Sequence, residues 1–285
     1  MKKSTKKESL SLRFLYHTAP GRLFLKALIS PSLSRLAGRW LSSSLSRPMI
    51  GRFVKKNGIR LSDYEAENYR CFNDCFTRKI KKELRPISMV PTDFISPCDA
   101  LLSVYPIKED SVFHIKGSDY SLLGLLGGNE ALAEKYAGGI CLVFRLCVHH
   151  YHRYAYVDNG TKGENVFLPG RLHTVRPIAL ESFPVFVQNS REYTVMETES
   201  FGTLTQIEVG ALLVGKIKNH HGCHTFVRGE EKGMFLYGGS TIILLVEKDR
   251  VALRPALWDV TAMGEETEVR MGEVLGKKVE ETDEK

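Results

Sequence analysis

Apolar and polar residues recur along this chain with two different periods, and the change falls near residue 91. Between residues 9 and 56, Leu, Ile and Phe mix with Arg and Lys at helical spacing, interrupted at Pro20-Gly21, Ser30-Pro31 and Arg47-Pro48. Proline disrupts a helix interior, so these breaks divide the stretch into short amphipathic helices. Tyr64, Tyr69, Phe72, Phe76 and Ile80 follow at steps of three to five, which predicts a further helix from about Ser62 to Lys82. Past Pro91 the apolar runs shorten: 101–107, 140–148, 204–217 and 241–246 are β-rich and bounded by Gly and Asp turns. One helix is expected among them, from Asn129 to Tyr136. The pattern predicts an α+β protein: N-terminal basic amphipathic helices in residues 1–90, then a mainly antiparallel β core in residues 91–285. There is no internal repeat and no low-complexity tract.

Charge sharpens the reading of the helices. The net charge is +7, and residues 1–60 hold fourteen Lys or Arg against one acid, Glu8. Positive potential concentrated this way attracts an anionic partner. The aromatic residues are not interleaved with the basic ones as a nucleic-acid stacking surface requires, so no nucleic acid is expected. An anionic membrane surface fits better, with apolar side chains in the headgroup zone and basic ones against lipid phosphates. Arg13, Arg22, Lys26, Arg35 and Arg39 interrupt every stretch long enough to span a bilayer. Six cysteines and a start without an apolar h-region suggest reduced thiols and a peripheral protein on the cytoplasmic face of the cell membrane.

Three groups of residues can carry chemistry. The first is Tyr237-Gly238-Gly239-Ser240-Thr241 ahead of an apolar run. Gly-Gly-Ser before a strand is in most proteins only a turn. Yet a flexible Gly239 also lets Ser240 Oγ reach the preceding carbonyl and exchange the peptide bond for an ester; elimination then leaves dehydroalanine, whose hydrolysis gives a pyruvoyl group. Such a carbonyl forms a Schiff base with an amine and accepts electrons as carboxylate is lost. The second is His149-His150-Tyr151-His152-Arg153 at the end of an apolar run, where strand alternation sets His150 and His152 on one face and His149 on the other. A serine nucleophile needs such a base. The third is Ser96-Pro97-Cys98-Asp99, whose aspartate can orient an imidazole. Zinc is the competing use: His149, His150 and His152 with His220, His221, Cys223 and His224 supply enough ligands for a hydrolase. Their spacing fits neither HExxH nor paired CxxC, and Cys71 and Cys75 alone make a weak site, so no metal is assigned.

Ser46-Arg47-Pro48, residues 53–59, Phe72 to Arg78 with Arg85-Pro86-Ile87, Ser96 to Asp99, residues 115–122, Tyr151-His152-Arg153, Gly170 to Pro177, Asn189 to Glu192, Val209-Gly210-Ala211 with Val214-Gly215, and Lys232 to Thr241 stand together in one order. Across about Tyr16 to Leu245 they resemble the phosphatidylserine decarboxylases. That resemblance implies self-cleavage between Gly239 and Ser240 into a β-chain, 1–239, and an α-chain, 240–285, carrying a pyruvoyl cofactor on Ser240. It also implies decarboxylation of phosphatidylserine to phosphatidylethanolamine, a catalytic domain at 91–285 behind a membrane-association region at 1–90, and a homodimer. By matched position, Asp99 is the triad aspartate, Ser240 the serine and His152 the decarboxylation histidine. The family's Asp-Tyr-His-Arg-x-His reads differently here: His150 replaces the aspartate and Ala155 the second histidine. His152 is then expected to serve both steps, with His150, His149 and His224 as substitutes. Arg47, Arg52, Lys55 and Lys56 are candidate lipid contacts. The rival readings are an uncleaved lipid-binding relative and the zinc hydrolase.

Overall fold

A computed structural model describes residues 14–15, 18–28, 31–108, 112–115, 118–173, 185–211, 216–237 and 240–280. Its centre is a nine-stranded antiparallel sheet. From one edge the strands run His224–Phe226, Gly160–Lys162, Arg191–Thr198, Gly202–Val209, Ser240–Val246, Ile140–Leu146, Ala100–Pro106 and Thr267–Val269, with Val166–Leu168 also paired to Arg191–Thr198. Strands with strong β formers, such as Thr241-Ile242-Ile243 and Cys141-Leu142-Val143-Phe144, occupy its middle.

All seven residues of Ser240–Val246 are buried, which explains why this antiparallel strand reads as a continuous apolar run instead of an alternating one. Its pleat divides them between two cores. Ile243 and Leu245 pack with Tyr120, Leu125, Tyr136 and Phe186, under the short helices Leu122–Leu125, Glu130–Lys135 and Val185–Gln188. Ile242, Leu244 and Val246 pack with Phe94, Tyr154, Phe201 and Phe235. This second face is covered by the helix Pro255–Ala262 and two three-stranded sheets. One sheet is Asp93–Ile95, Val274–Lys278 and Val251–Leu253; the other is Ile217–Asn219, Glu231–Phe235 and Arg153–Ala155. Each buried Leu or Ile here contributes about 1.5–3 kcal/mol.

The α+β reading holds, with local corrections. The expected strand 204–217 ends at Val209, and Ile217–Asn219 belongs to a different sheet. The expected 129–136 helix is Glu130–Lys135, capped by Asn129 Oδ1, which accepts the Leu132 N–H at 3.1 Å. The helix expected over 62–82 does not form. Only Phe72–Phe76 is α-helical, and Tyr64 bridges Ile80 instead. The aromatic residues serve two clusters, Tyr64 with Ile80 and Tyr151, and Phe72 with Phe76 and Leu41, so they share no single helical face.

At the N-terminal side are the helices Ala19–Leu28, Pro31–Leu41 and Met49–Asn57, with a 3-10 turn at Ser44–Ser46. Pro31 opens one helix and Pro48 precedes another, as expected, whereas Pro20 and Gly21 lie in the first turn of the first. Buried Ser46 joins this layer to the body: its Oγ donates to Leu41 and Ser43 carbonyls and accepts the Phe72 N–H at 2.9 Å. Among the described residues, no helix is long and apolar enough to cross a membrane.

Candidate active site at the start of the Ser240 strand

Ser240 is the first residue of the central strand and is fully buried, opposite Leu146 in the ladder. Gly239, on the other side of the expected cleavage bond, lies outside the described residues together with residue 238. Pleat parity puts the Ser240 side chain on the face of Ile242 and Leu244, beneath the small sheet that contains Arg153–Ala155. Its Oγ has no hydrogen-bond partner among the described residues. A buried hydroxyl in that state costs about 1–3 kcal/mol, which a fold keeps only where something else is gained.

The histidines sit just beyond the strand paired with Ser240. Ile140–Leu146 ends, and the chain turns through Cys147 to His150, closed by the His150 N–H on the Cys147 carbonyl at 2.9 Å. The turn ends strand alternation, yet His150 and His152 are buried and His149 is exposed. Arg78, itself buried, fixes this turn: it donates to the His149 carbonyl at 3.0 Å and the His150 carbonyl at 3.3 Å, and its guanidinium lies over the Tyr64 ring at 4.6 Å. His152 packs on Phe76 with ring centroids 4.0 Å apart, and Phe76 in turn contacts Tyr237, three residues before Ser240, at 5.4 Å. The Phe235 N–H reaches the His152 carbonyl at 3.0 Å. Asn73 holds the approach to Ser240: Oδ1 accepts the Tyr237 N–H at 3.2 Å, while Nδ2 donates to Ser42 Oγ at 2.8 Å.

The hydrogen bonds assign opposite tautomers to the two buried imidazoles. His152 Nδ1 lies 2.9 Å from the His150 carbonyl, which can only accept, so Nδ1 carries the proton and Nε2 a lone pair. That Nε2 is buried without a partner among the described residues. His150 Nδ1 accepts the Cys147 N–H at 3.1 Å, so its proton is on Nε2. Burial pushes the His150 imidazole down to about 4, with neighbouring His149 adding to the shift and Asp99 opposing it. Burial, and then the Arg78 charge, pushes His152 well below the ordinary histidine value. Both rings are neutral near pH 7: one offers a bare nitrogen and the other an N–H.

Asp99 is placed differently from a triad aspartate. Its carboxylate pairs with Arg85, through Nε at 2.7 Å and through Nη2, and accepts the Met271 N–H at 2.9 Å. These bonds join it to no histidine, and it acts on His150 through space. Ala155 is buried, with its N–H on the Pro97 carbonyl at 2.9 Å. His224 is in the edge strand, four ladder steps from the Ser240 strand, or about 19 Å along the sheet. A cavity of about 240 Å³ lined by Phe167, Leu172, Ser190, Glu192, Gly210 and Lys216 borders the Ser240 end of the sheet, since Gly210 follows Val209, the ladder partner of Thr241. Sequence reasoning gave Arg78 and Asn73 no role. No local signal marks Arg78: Asp74 stands four residues before it and offers an ordinary helical ion-pair partner by spacing, whereas in the structure Asp74 pairs with Arg70.

Comparison with known proteins puts this architecture in the class of decarboxylating lyases of phospholipid synthesis that are made as proenzymes. A family model described as phosphatidylserine decarboxylase matches residues 72–277. Similar proteins are phosphatidylserine decarboxylase proenzyme 2 of Clostridium acetobutylicum, 42% identical over 267 residues that cover 93% of this chain and 91% of that one, and the phosphatidylserine decarboxylase proenzymes of Clostridium botulinum, 38% identical over 273 residues, and Clostridium novyi, 37% identical over 274 residues. The last two alignments each cover 94% of this chain and 92% of the relative. The chain belongs to the phosphatidylserine decarboxylase family.

Proposed function

We propose that this chain decarboxylates phosphatidylserine to phosphatidylethanolamine after cutting itself between Gly239 and Ser240 and converting Ser240 into a pyruvoyl group. The observation that carries this reading is the buried, unpartnered Ser240 Oγ following a diglycine, in a member of this family. A pyruvoyl group at residue 240 supplies a carbonyl that condenses with an amine and draws electrons as carbon dioxide leaves. The rest is done by side chains already described. His152 Nε2, with its lone pair, takes the Ser240 hydroxyl proton during self-cleavage and later returns a proton to the substrate carbon that has lost its carboxylate. His150 Nε2–H is the donor then available to developing negative charge. Arg78 positions both rings, and Arg85 with Asp99 braces the wall behind them. Burial keeps bulk water from the substrate carbon that has lost its carboxylate, while conversion of residue 240 itself consumes one water and releases ammonia.

The substrate's setting is supported by the N-terminal layer. Leu23, Phe24, Leu36, Trp40 and Leu45 are exposed, and Arg39, Arg47, Arg52, Lys55 and Lys56 stand exposed among or beside them. Apolar groups next to cations suit the interface of an anionic bilayer, which supports the reading of a peripheral protein on the cytoplasmic face of the cell membrane.

Mass measurement under denaturing conditions tests the proposal. The native sequence should yield two fragments, the smaller beginning at residue 240 with a blocked terminus, while Ser240→Ala stays whole and inactive toward phosphatidylserine in vesicles. One uncut chain of 32.1 kDa from the native sequence would overturn it.

A further inference from the structure

The geometry points to a binding site for one divalent transition-metal cation, zinc foremost, formed by His221, His224 and Glu230 and separate from the active site. Their donor atoms all lie within 4.8 Å of one another. His224 Nε2 is 2.9 Å and His221 Nε2 3.8 Å from Glu230 Oε1. Tetrahedral zinc with bonds of about 2.0–2.1 Å sets neighbouring ligand atoms roughly 3.3 Å apart, so small rotations of these side chains complete a shell. Two imidazoles and one carboxylate are a borderline ligand set, which favours zinc and its late first-row neighbours over magnesium or calcium. All three residues are about 30% exposed on their side chains, so an ion can enter and water can fill the fourth position.

The cluster is held in place before any ion arrives. Glu230 Oε2 accepts the Val227 N–H at 3.1 Å, which turns Oε1 toward the histidines. Tyr156 stands 3.5 Å from His221 Nδ1 through its hydroxyl, and its N–H bonds the Glu230 carbonyl at 2.9 Å. A partner on the far imidazole nitrogen is the usual outer support of a metal-binding histidine. The two rings stack at 3.8 Å, and both Nε2 atoms lie on the side of Glu230 Oε1. Among the described residues, no other such group of His, Cys, Asp and Glu is found. An ion here would tie the segment before His224–Phe226 to the turn that starts Glu231–Phe235, the strand leading toward Tyr237 and Ser240.

The test is calorimetric titration of the full-length chain, affinity tag removed, with zinc chloride alone. One zinc per chain is expected, with binding at least 10-fold weaker in His224→Ala and in Glu230→Gln and unchanged in Cys223→Ser. Cobalt substitution should give tetrahedral ligand-field bands without a thiolate charge-transfer band. Circular dichroism confirms that each variant is folded, and His221→Gln provides a second, milder ligand loss. Absence of stoichiometric zinc binding by the native chain overturns the inference. So does binding that survives in folded His221→Gln/His224→Ala, or that disappears in Cys223→Ser.

Discussion

At the scale of single residues, the two buried imidazoles make the most testable claims. His150 has a folded-state value of about 4 against 6.5 for the free side chain. Its neutral form is favoured by folding, so the unfolded chain binds the extra proton below about pH 6.5. The stability this contributes is fully present above pH 6.5, is lost as pH falls from there to about 4, and is flat below. At ~1.4 kcal/mol per unit, the loss is on the order of 3 kcal/mol. Urea unfolding at pH 7.5, 6 and 5 should show this decline, shallower by about one proton in His150→Asn; equal slopes would count against the assignment. Burial and the Arg78 charge likewise hold His152 well below the ordinary histidine value, so self-cleavage that uses its lone pair should keep its rate from pH 8 to pH 6, and an inflection near 6.5 would remove His152 from that role. Ser240, His150 and His152 stand out in the sequence as candidates because their motifs are local. The true partners of Asp99 were not, because Met271 lies 172 positions away and Arg85 approaches from another segment.

At the scale of elements, the contact between the central sheet and the small sheet over it depends on a polar plug. Lys232 on Glu231–Phe235 donates to Glu208 on Gly202–Val209 at 2.7 Å, and both are fully buried. Asn219 and Gln206 complete their hydrogen bonds. Removing one partner leaves a charge without its counterion, so Lys232→Met should destabilise by about 3–5 kcal/mol, whereas Lys232→Met/Glu208→Gln recovers part of that loss. Denaturant midpoints of the three proteins decide it, and a double variant worse than the single would contradict the account. Strands with continuous apolar runs were readable from sequence, since only a sheet covered on both faces uses them. The 62–82 segment was misread because helical spacing of aromatics is also produced by a loop that feeds two clusters. Its exposed Glu65, Glu67 and Asn68 give no local signal of the Tyr64–Ile80 bridge.

For the whole molecule, the N-terminal layer is the part whose exposed chemistry differs most from the body. Replacing Trp40 and Leu45 with Ala should weaken binding to phosphatidylserine vesicles about 10-fold, with added salt weakening the native chain further. Sedimentation with vesicles measures both effects, and unchanged binding in the double variant would assign the membrane contact elsewhere. A break ahead of Ser240 would leave two pieces that stay interlocked. The C-terminal piece would start with the strand that Ile140–Leu146 and Gly202–Val209 grip on either side, and its later residues supply Thr267–Val269 at the edge of the same sheet and two strands of the three-stranded sheet with Asp93–Ile95. Such fragments are not subunits in equilibrium. They can separate only by global unfolding, so mixing isotopically labelled and unlabelled processed protein should produce no hybrid molecules: the nick would be chemically complete and mechanically invisible.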